Sequence, residues 1–491
     1  MGIHPSRTIA EGIAFTQFVD GTGCEAISGE RIDVASPSDG LVFASIPASN
    51  ADDVDRAVRA ARRAFDEDAW GRMPAVERGR ILTRLCEMVD REGEALAQLE
   101  SRDTGKPIRQ GIADVAAAKR YYEYYGGAAD KIHGDTIPFL PGYTALTLRE
   151  PHGVVAGIIP WNYPLQIGAR VIGAALAMGN TLVIKPAEDA SLTAIRIAEL
   201  AHEAGLPDGV LNVVTGYGKT AGAALSAHPM VDYVTFTGSP LTGTAIQTAA
   251  AVNNRGVTME LGGKSPQVVF ADADLDAALP VLVNAIIQNG GQTCSAGSRV
   301  LIERPVYADV ASALADRFAK LVAGPHDADL DLGPLINVNQ RDRVAGFIAA
   351  AREAGIDMLA EGRVAPDAPE GGYYHPATLF GSVDPKAAIA REEVFGPVLS
   401  LFPFDGEEEA VRLANDSEFG LVAGVWTADG GRQHRVAKRI RAGQVFVNGY
   451  GAGGGVELPF GGFKKSGHGR EKGFEALYDM SATKTIVFNH G

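Results

Sequence analysis

Cysteine is scarce: the 491 residues hold three, Cys24, Cys86 and Cys294. They stand far apart, with no CxxC pair and no Cys/His metal spacing. A disulfide framework and a structural metal site are therefore not expected, and a reducing compartment is. Long apolar runs are missing too. The longest, around Val171–Met178 and Leu279–Ile287, fall short of the ~20 residues that cross a bilayer. Met1–Phe18 lacks a basic stretch followed by an apolar one, so no secretory leader is read there. Nor is there an excess of positive charge. A net charge of −15 argues against non-specific binding to nucleic acid or an anionic membrane. The expectation is a cytoplasmic protein whose partner is a small molecule. No solenoid-type repeat is present.

What remains is the composition of an ordinary globular protein, 46% hydrophobic and 21% charged. The length exceeds one hydrophobic core, so two or three domains are expected. Short strands and turns reach about Ile46. Asn50 offers an N-cap, with Asp53 near the third helical position and Val54, Ala57, Val58, Ala61 and Phe65 at helical spacing. A second helix is expected over Ala75–Glu100, with Cys86 in its packing. Asp103-Thr-Gly-Lys-Pro107 breaks the pattern before a helix over Gly111–Tyr125. The tyrosines there, Tyr121, Tyr122, Tyr124 and Tyr125, pack or line a tunnel. Strands at Thr144–Leu148 and Val154–Ile159 open an alternation: helix to Met178, strand Thr181–Ile184, helix Ser191–Ala204, strand Val210–Val214, a helix from about Thr220, strand Tyr233–Thr237. This is the rhythm of a parallel, doubly wound sheet, which binds ligands at the C-terminal ends of its strands. Beyond Gly262 the order changes. Helices are expected at Asp272–Gln288, Ala308–Val322 and Asn339–Ala354, strands at Val300–Glu303 and Ala482–Phe488, and an ordered glycine-rich loop at Gln444–Gly467.

Several short stretches carry chemistry. In Asn289-Gly-Gly-Gln-Thr-Cys294 a thiol follows residues that let the backbone turn sharply, which suits a nucleophile as well as a packed thiol. Ile159-Pro-Trp-Asn162 ends a strand, where an Asn side chain can face an oxyanion or simply form a turn. In Lys185-Pro-Ala-Glu188 the Lys and Glu can clasp the two hydroxyls of a ribose, or form a surface ion pair. Gly238-Ser239 opens a helix and can hold a phosphate; the spacing is neither GxGxxG nor a Walker loop. Glu260 precedes Gly262-Gly263 and is a candidate general base. Glu393 and Phe395 stand in Arg391–Pro397 and can meet a second ribose and an aromatic ring.

In this order and at these separations, the cysteine stretch, Met259–Pro266, Glu392–Pro397 and Pro459–Gly467 resemble the NAD(P)-dependent aldehyde dehydrogenases across nearly the whole chain. The resemblance implies an α/β fold: a parallel, doubly wound, Rossmann-like NAD-binding domain (1–127 and 150–261), an α/β catalytic domain (262–474), and a small β oligomerisation element (128–149 and 475–491) that makes a homodimer or homotetramer. It also implies Cys294 as nucleophile, Asn162 as oxyanion donor and Glu260 as base. NAD, rather than NADP, would be held by Lys185, Glu188, Gly238, Ser239, Glu393 and Phe395, with Ile159, Trp161, Gly218 and Leu261 lining the cleft. The substrate is an aldehyde, with Tyr163, Arg170 and Glu457 as candidate contacts.

Two departures stand out. Val171 occupies a position where many relatives carry Lys, although Glu471, its usual neighbour, is present. Arg170 stands where many carry Trp. A buried Arg needs a partner. That partner is either a substrate carboxylate, as in succinate-semialdehyde dehydrogenases, or a protein carboxylate such as Glu457. Gln288 stands where those enzymes tend to carry a second Arg, and the Gly451–Gly455 run leaves a roomier tunnel mouth for aromatic or long aldehydes.

Overall fold

The computed structural model describes residues 12–67, 70–451 and 455–491. The stretch before residue 12, where no leader was read, lies outside them, as does most of the Gly451–Gly455 run.

Two large sheets organise the chain. In the first, the strands Leu211–Val213, Thr181–Pro186, Val154–Ile159, Tyr233–Thr237 and Gly256–Glu260 lie side by side and parallel. Gln17–Val19 and Thr22–Cys24 extend one edge antiparallel, and Gly467–His468 extends the other. The chain runs outward from Val154–Ile159 in one direction, then restarts on its other side with Tyr233–Thr237. That reversal opens a crevice at the C-terminal ends of these two strands. Helices cover both faces. Ala51–Asp66 begins at Asn50, whose side-chain oxygen accepts from the Asp53 N–H while the Asp53 carboxylate accepts from the Asn50 N–H, a complete capping box.

The second sheet runs Met358–Glu361, Thr378–Phe380, Val398–Phe404, Arg299–Glu303, Pro266–Val269, Val422–Trp426, Gln444–Val447, all parallel except the first. Alternate residues of each strand serve opposite faces. Val268, Leu301 and Phe402 enter one core, and Val269, Val300, Ile302 and Leu401 the other. A third, three-stranded sheet joins Ser481–Asn489, Tyr143–Pro151 and Thr136–Ile137 antiparallel.

Four expected elements differ; the loop expected over Gln444–Gly467 opens with a strand, Gln444–Val447, paired to Val422–Trp426. The helix expected over Ala75–Glu100 is two, Ala75–Arg91 and Gly93–Thr104, because Glu92 turns out of helical geometry. The helix from Thr220 is one wide turn, Gly218–Gly222, and a short helix, Ala223–Ser226. The helix Tyr307–Phe318 stops before Val322, which begins a short strand. Among the described residues no helix is long and apolar enough to cross a membrane.

Candidate active site

The strand Val154–Ile159 feeds through Trp161 and Asn162 into the helix Pro164–Ala177. Pro164 takes the first helical position, where its missing N–H costs nothing. Asn162 is buried just before it, and its Nδ2 donates to the Gln292 carbonyl at 2.9 Å. That bond spends one amide hydrogen and aims the other. The Asn162 carbonyl is held as well, by Asn289 Nδ2 at 2.8 Å and Lys106 Nζ at 3.1 Å. Lys106 is buried between Glu100 and Asp114, with its ammonium 4.5 Å from the Tyr163 ring centre. The Tyr163 hydroxyl meets the Thr293 hydroxyl at 2.9 Å, so Tyr163 braces the cysteine loop.

That loop leaves the helix Leu275–Ile287 through three residues in left-handed conformation, Asn289, Gly290 and Gly291 (φ 51°, 60° and 75°). A Cβ on Gly291 would land on the Gly396 backbone, so the loop can seat here only with glycine at that position. Gln110 Oε1 accepts the Asn289 N–H at 2.9 Å. Cys294 emerges half-buried against Leu421, Val422 and Phe460. Burial pushes its thiol up to about 12, with Arg170 opposing the shift.

Glu260 ends the strand Gly256–Glu260 and is 2% exposed, with neither carboxyl oxygen hydrogen-bonded. Three residues on, Gly263 lies so close to the Cys294 carbonyl that no side chain fits between them. The turn after Glu260 therefore packs directly on the cysteine loop. A Cβ on Gly461 would stand 2.7 Å from Glu260 Oε1, so backbone closes the other side. Burial holds the Glu260 carboxyl well above the usual range, and the charge of Glu471 adds to the rise; Arg170, Arg470 and Lys472 oppose it.

Arg170 is 5% exposed and forms an ion pair with Glu471. Glu457 is not its partner. Glu457 lies exposed and pairs instead with Arg120, on the helix Ile108–Ala128. Val171 is buried on the sheet side, where Gly157 leaves room for it. Tyr121, Tyr122 and Tyr125 are core residues, and the charges of Arg170 and Glu471 act on Tyr121.

Along the crevice, Lys185 Nζ meets Glu188 Oε2 at 3.0 Å. Burial lowers the Lys185 ammonium; burial raises the Glu188 carboxyl, but Lys185 and the backbone N–H groups of Glu188 and Gly218 together outweigh it and lower the carboxyl. Glu188 Oε1 accepts the Gly218 N–H at 3.4 Å. A half-exposed carboxylate beside an ammonium suits vicinal hydroxyls and repels a phosphate. Ser239 caps the helix Pro240–Val252 and accepts from Thr242 N at 3.3 Å, leaving an exposed helix N-terminus suited to a pyrophosphate. Gly238 donates to the Glu260 carbonyl at 3.0 Å, and Leu261 packs beside Gly243. Trp161 and Phe395 meet edge to face at 5.3 Å. Glu393 accepts the Gly263 N–H at 2.9 Å, and burial raises its carboxyl to about 7. Ile159 is buried at the strand end. This donor set fits a dinucleotide, ribose hydroxyls at Glu188 and Glu393 and phosphates at Ser239.

Lys106, Asn289, Phe460 and Lys472 also belong to the site. Lys106 was legible only as part of a helix-breaking Gly-Lys-Pro run, and Lys472 only as the residue after Glu471. Lys472 Nζ lies 5.0 Å from the Phe460 ring centre, and burial lowers its ammonium to about 8.

Known proteins share this chain's sequence and fold. A mitochondrial aldehyde dehydrogenase from Equus caballus is 42% identical over 474 residues, 96% of this chain and 94% of that relative. The structure of a candidate aldehyde dehydrogenase from Burkholderia cenocepacia is 59% identical with a TM-score of 0.96, covering 97% of this chain and 100% of that one. A betaine aldehyde dehydrogenase from Staphylococcus aureus, solved in complex with NAD+, is 36% identical with a TM-score of 0.95, covering 98% and 95%. The Aldehyde dehydrogenase family model matches residues 25–486. The chain thus belongs to the aldehyde dehydrogenase family, as an NAD-dependent enzyme that oxidises aldehydes to carboxylic acids.

Proposed function

We propose that Cys294, Asn162 and Glu260 carry the reaction in two covalent halves. Cys294, as thiolate, bonds to the aldehyde carbon. The oxygen becomes an oxyanion and accepts from the Asn162 amide and the Cys294 backbone N–H. NAD, when bound, supplies the acceptor for the hydride that leaves this carbon. Glu260 then takes a proton from water, which attacks the thioester. The C–S bond breaks, the acid departs and the thiolate returns. The observation that carries this reading is the direct packing of the turn after Glu260 on the Cys294 loop, with Asn162 bonded to Gln292 two residues before the thiol.

The arrangement favours an aldehyde without an obligatory ω-carboxylate, because Arg170 is already met by Glu471. The crevice residues Lys185, Glu188, Ser239 and Glu393 take the NAD end, in the domain division expected above. The third sheet joins subunits into a dimer or tetramer. The test uses Cys294→Ala and Glu260→Gln. Cys294→Ala should lose all NAD reduction. Glu260→Gln should keep a first-turnover burst of NADH but lose about 10²–10⁴-fold in steady state, the usual worth of a general base. Full steady-state turnover in Glu260→Gln would overturn the base assignment. A strict requirement for CoA in the wild type would replace hydrolysis by acyl transfer.

A further inference from the structure

The buried ion pair beside Glu260 has no part in the steps above. We infer that Arg170 is a positioning residue for thioester hydrolysis: by pairing with Glu471 it keeps a second carboxylate from suppressing the ionisation of Glu260. The inference rests on Glu260 acting as base.

Position 171, where a lysine would be expected, holds Val171, packed against the sheet. The charge comes instead from the preceding residue, on the part of the helix Pro164–Ala177 that faces the site. Arg170 Nε and Glu471 Oε2 meet as a buried ion pair. Secondary contacts hold both ends. Thr235 Oγ1 donates to Glu471 Oε1 at 3.3 Å, Arg170 donates to Thr237 Oγ1 at 3.5 Å, and the guanidinium lies 5.4 Å from the Phe460 ring centre. The strand carrying Thr235 and Thr237 is the one paired with the strand that ends in Glu260. Each charge is thereby fixed relative to the base.

The charged and titratable groups facing Glu260 come from three elements. Arg170 comes from its helix, Cys294 from its loop, and Arg470, Glu471 and Lys472 from the C-terminal segment. Tyr121, on the helix Ile108–Ala128, faces the ion pair rather than Glu260. Of the three cations, Arg170 acts most strongly on Glu260, and after burial Glu471 is the strongest influence raising it. Neutralising Arg170 therefore leaves Glu471 opposing Glu260, and more alkaline solution is needed to ionise the base. Neutralising Glu471 does the reverse.

The experiment is the pH profile of kcat for a neutral aldehyde and for an ω-carboxylic aldehyde under saturating NAD, with the NADH burst recorded alongside. It compares wild type, Arg170→Met, Arg170→Lys, Glu471→Gln and the Arg170→Met/Glu471→Gln double variant. The acid limb should rise by about one pH unit in Arg170→Met, a loss of about tenfold in kcat below the limb. It should return toward the wild-type position in Arg170→Lys and in the double variant, and fall below it in Glu471→Gln. The burst should keep its amplitude throughout, although it slows in Arg170→Met because Arg170 also lowers the Cys294 thiol; the acid limb is therefore read from the turnover that follows the burst. If Arg170→Met does not fold, the downward shift in Glu471→Gln and the profile of Arg170→Lys still decide the matter. An unmoved acid limb in both single neutralisations overturns the inference. So does a loss in Arg170→Met confined to ω-carboxylic aldehydes, which would return Arg170 to the substrate. Full turnover in Glu260→Gln is a different result: it removes the base assignment beneath both readings.

Discussion

A carboxyl with neither oxygen hydrogen-bonded and a second carboxylate facing it costs free energy in the folded chain. Glu260 meets both conditions. Its folded-state pKa is raised, so the burden is absent below the ordinary carboxylate range. It grows as pH climbs, because the unfolded chain ionises freely there and the folded chain does not. Glu260→Gln should therefore unfold at a higher temperature than wild type near neutral pH, with the gap shrinking toward pH 4. Calorimetry across that range checks it, and a Gln variant less stable than wild type at pH 7–8 would refute the account. The same site sets the behaviour of Cys294. Burial pushes its thiol up to about 12 in the chain without bound partners. Since only the thiolate is alkylated, iodoacetamide labelling of Cys294 should climb about tenfold per pH unit through pH 7–10. Mass spectrometry of the labelled peptide measures this, and a plateau near pH 7 would show a far more acidic thiol.

At the scale of elements, the loop before Cys294 and the turn before Pro164 are clamped to each other, and the clamp is made by residues that touch no reacting atom. Asn289→Ala removes the donor to Asn162 and Gln292 and keeps a left-handed φ of 51°. It should cost about 1–3 kcal/mol of stability through the two buried hydrogen bonds lost, although Lys106 still reaches the Asn162 carbonyl and Asn162 the Gln292 carbonyl. It should also lower kcat at least tenfold with little change in KM, since Asn162 loses its aim. Equal kcat in the variant would mean that Gln292 and Lys106 suffice to position Asn162. Lys106→Met leaves Glu100 and Asp114 buried without their cation, and a loss of about 3–5 kcal/mol is expected in thermal unfolding. Elements of this kind explain what a sequence conveys. The strands Val154–Ile159 and Tyr233–Thr237 were legible to the residue, because runs of β-branched and apolar residues end there at Pro or Gly. The break at Glu92 was not: apolar spacing continues through Leu85, Val89, Leu96 and Leu99, and only the backbone turn interrupts it. The candidate catalytic residues sit in short local motifs. The partner of Arg170 does not, since Glu471 reaches it only through the folded C-terminal segment, while Arg120 captures Glu457.

On the scale of the whole molecule, each large sheet is covered by helices, and the crevice lies where segments from both converge. The third sheet has a different character. Ser481–Asn489 pairs along its full length with Tyr143–Pro151 and has no strand on its other side among the described residues. Val487 and Phe488 are exposed on it, and Phe139, Leu140 and Leu148 are exposed nearby. A long edge strand carrying apolar side chains pairs readily with another chain. A second copy of this chain, meeting it by a two-fold axis, would bury both edges at once. Val487→Asp with Phe488→Asp places like charges on each side of such an axis. Sedimentation of this double variant should show monomers where the wild type shows a dimer or tetramer. The monomer should unfold at a lower temperature that no longer depends on protein concentration. The crevice lies within one chain, so substrate oxidation should persist in monomers that stay folded. An oligomer of unchanged size in the double variant would place the interface elsewhere, and a wild-type monomer would remove the proposed assembly altogether.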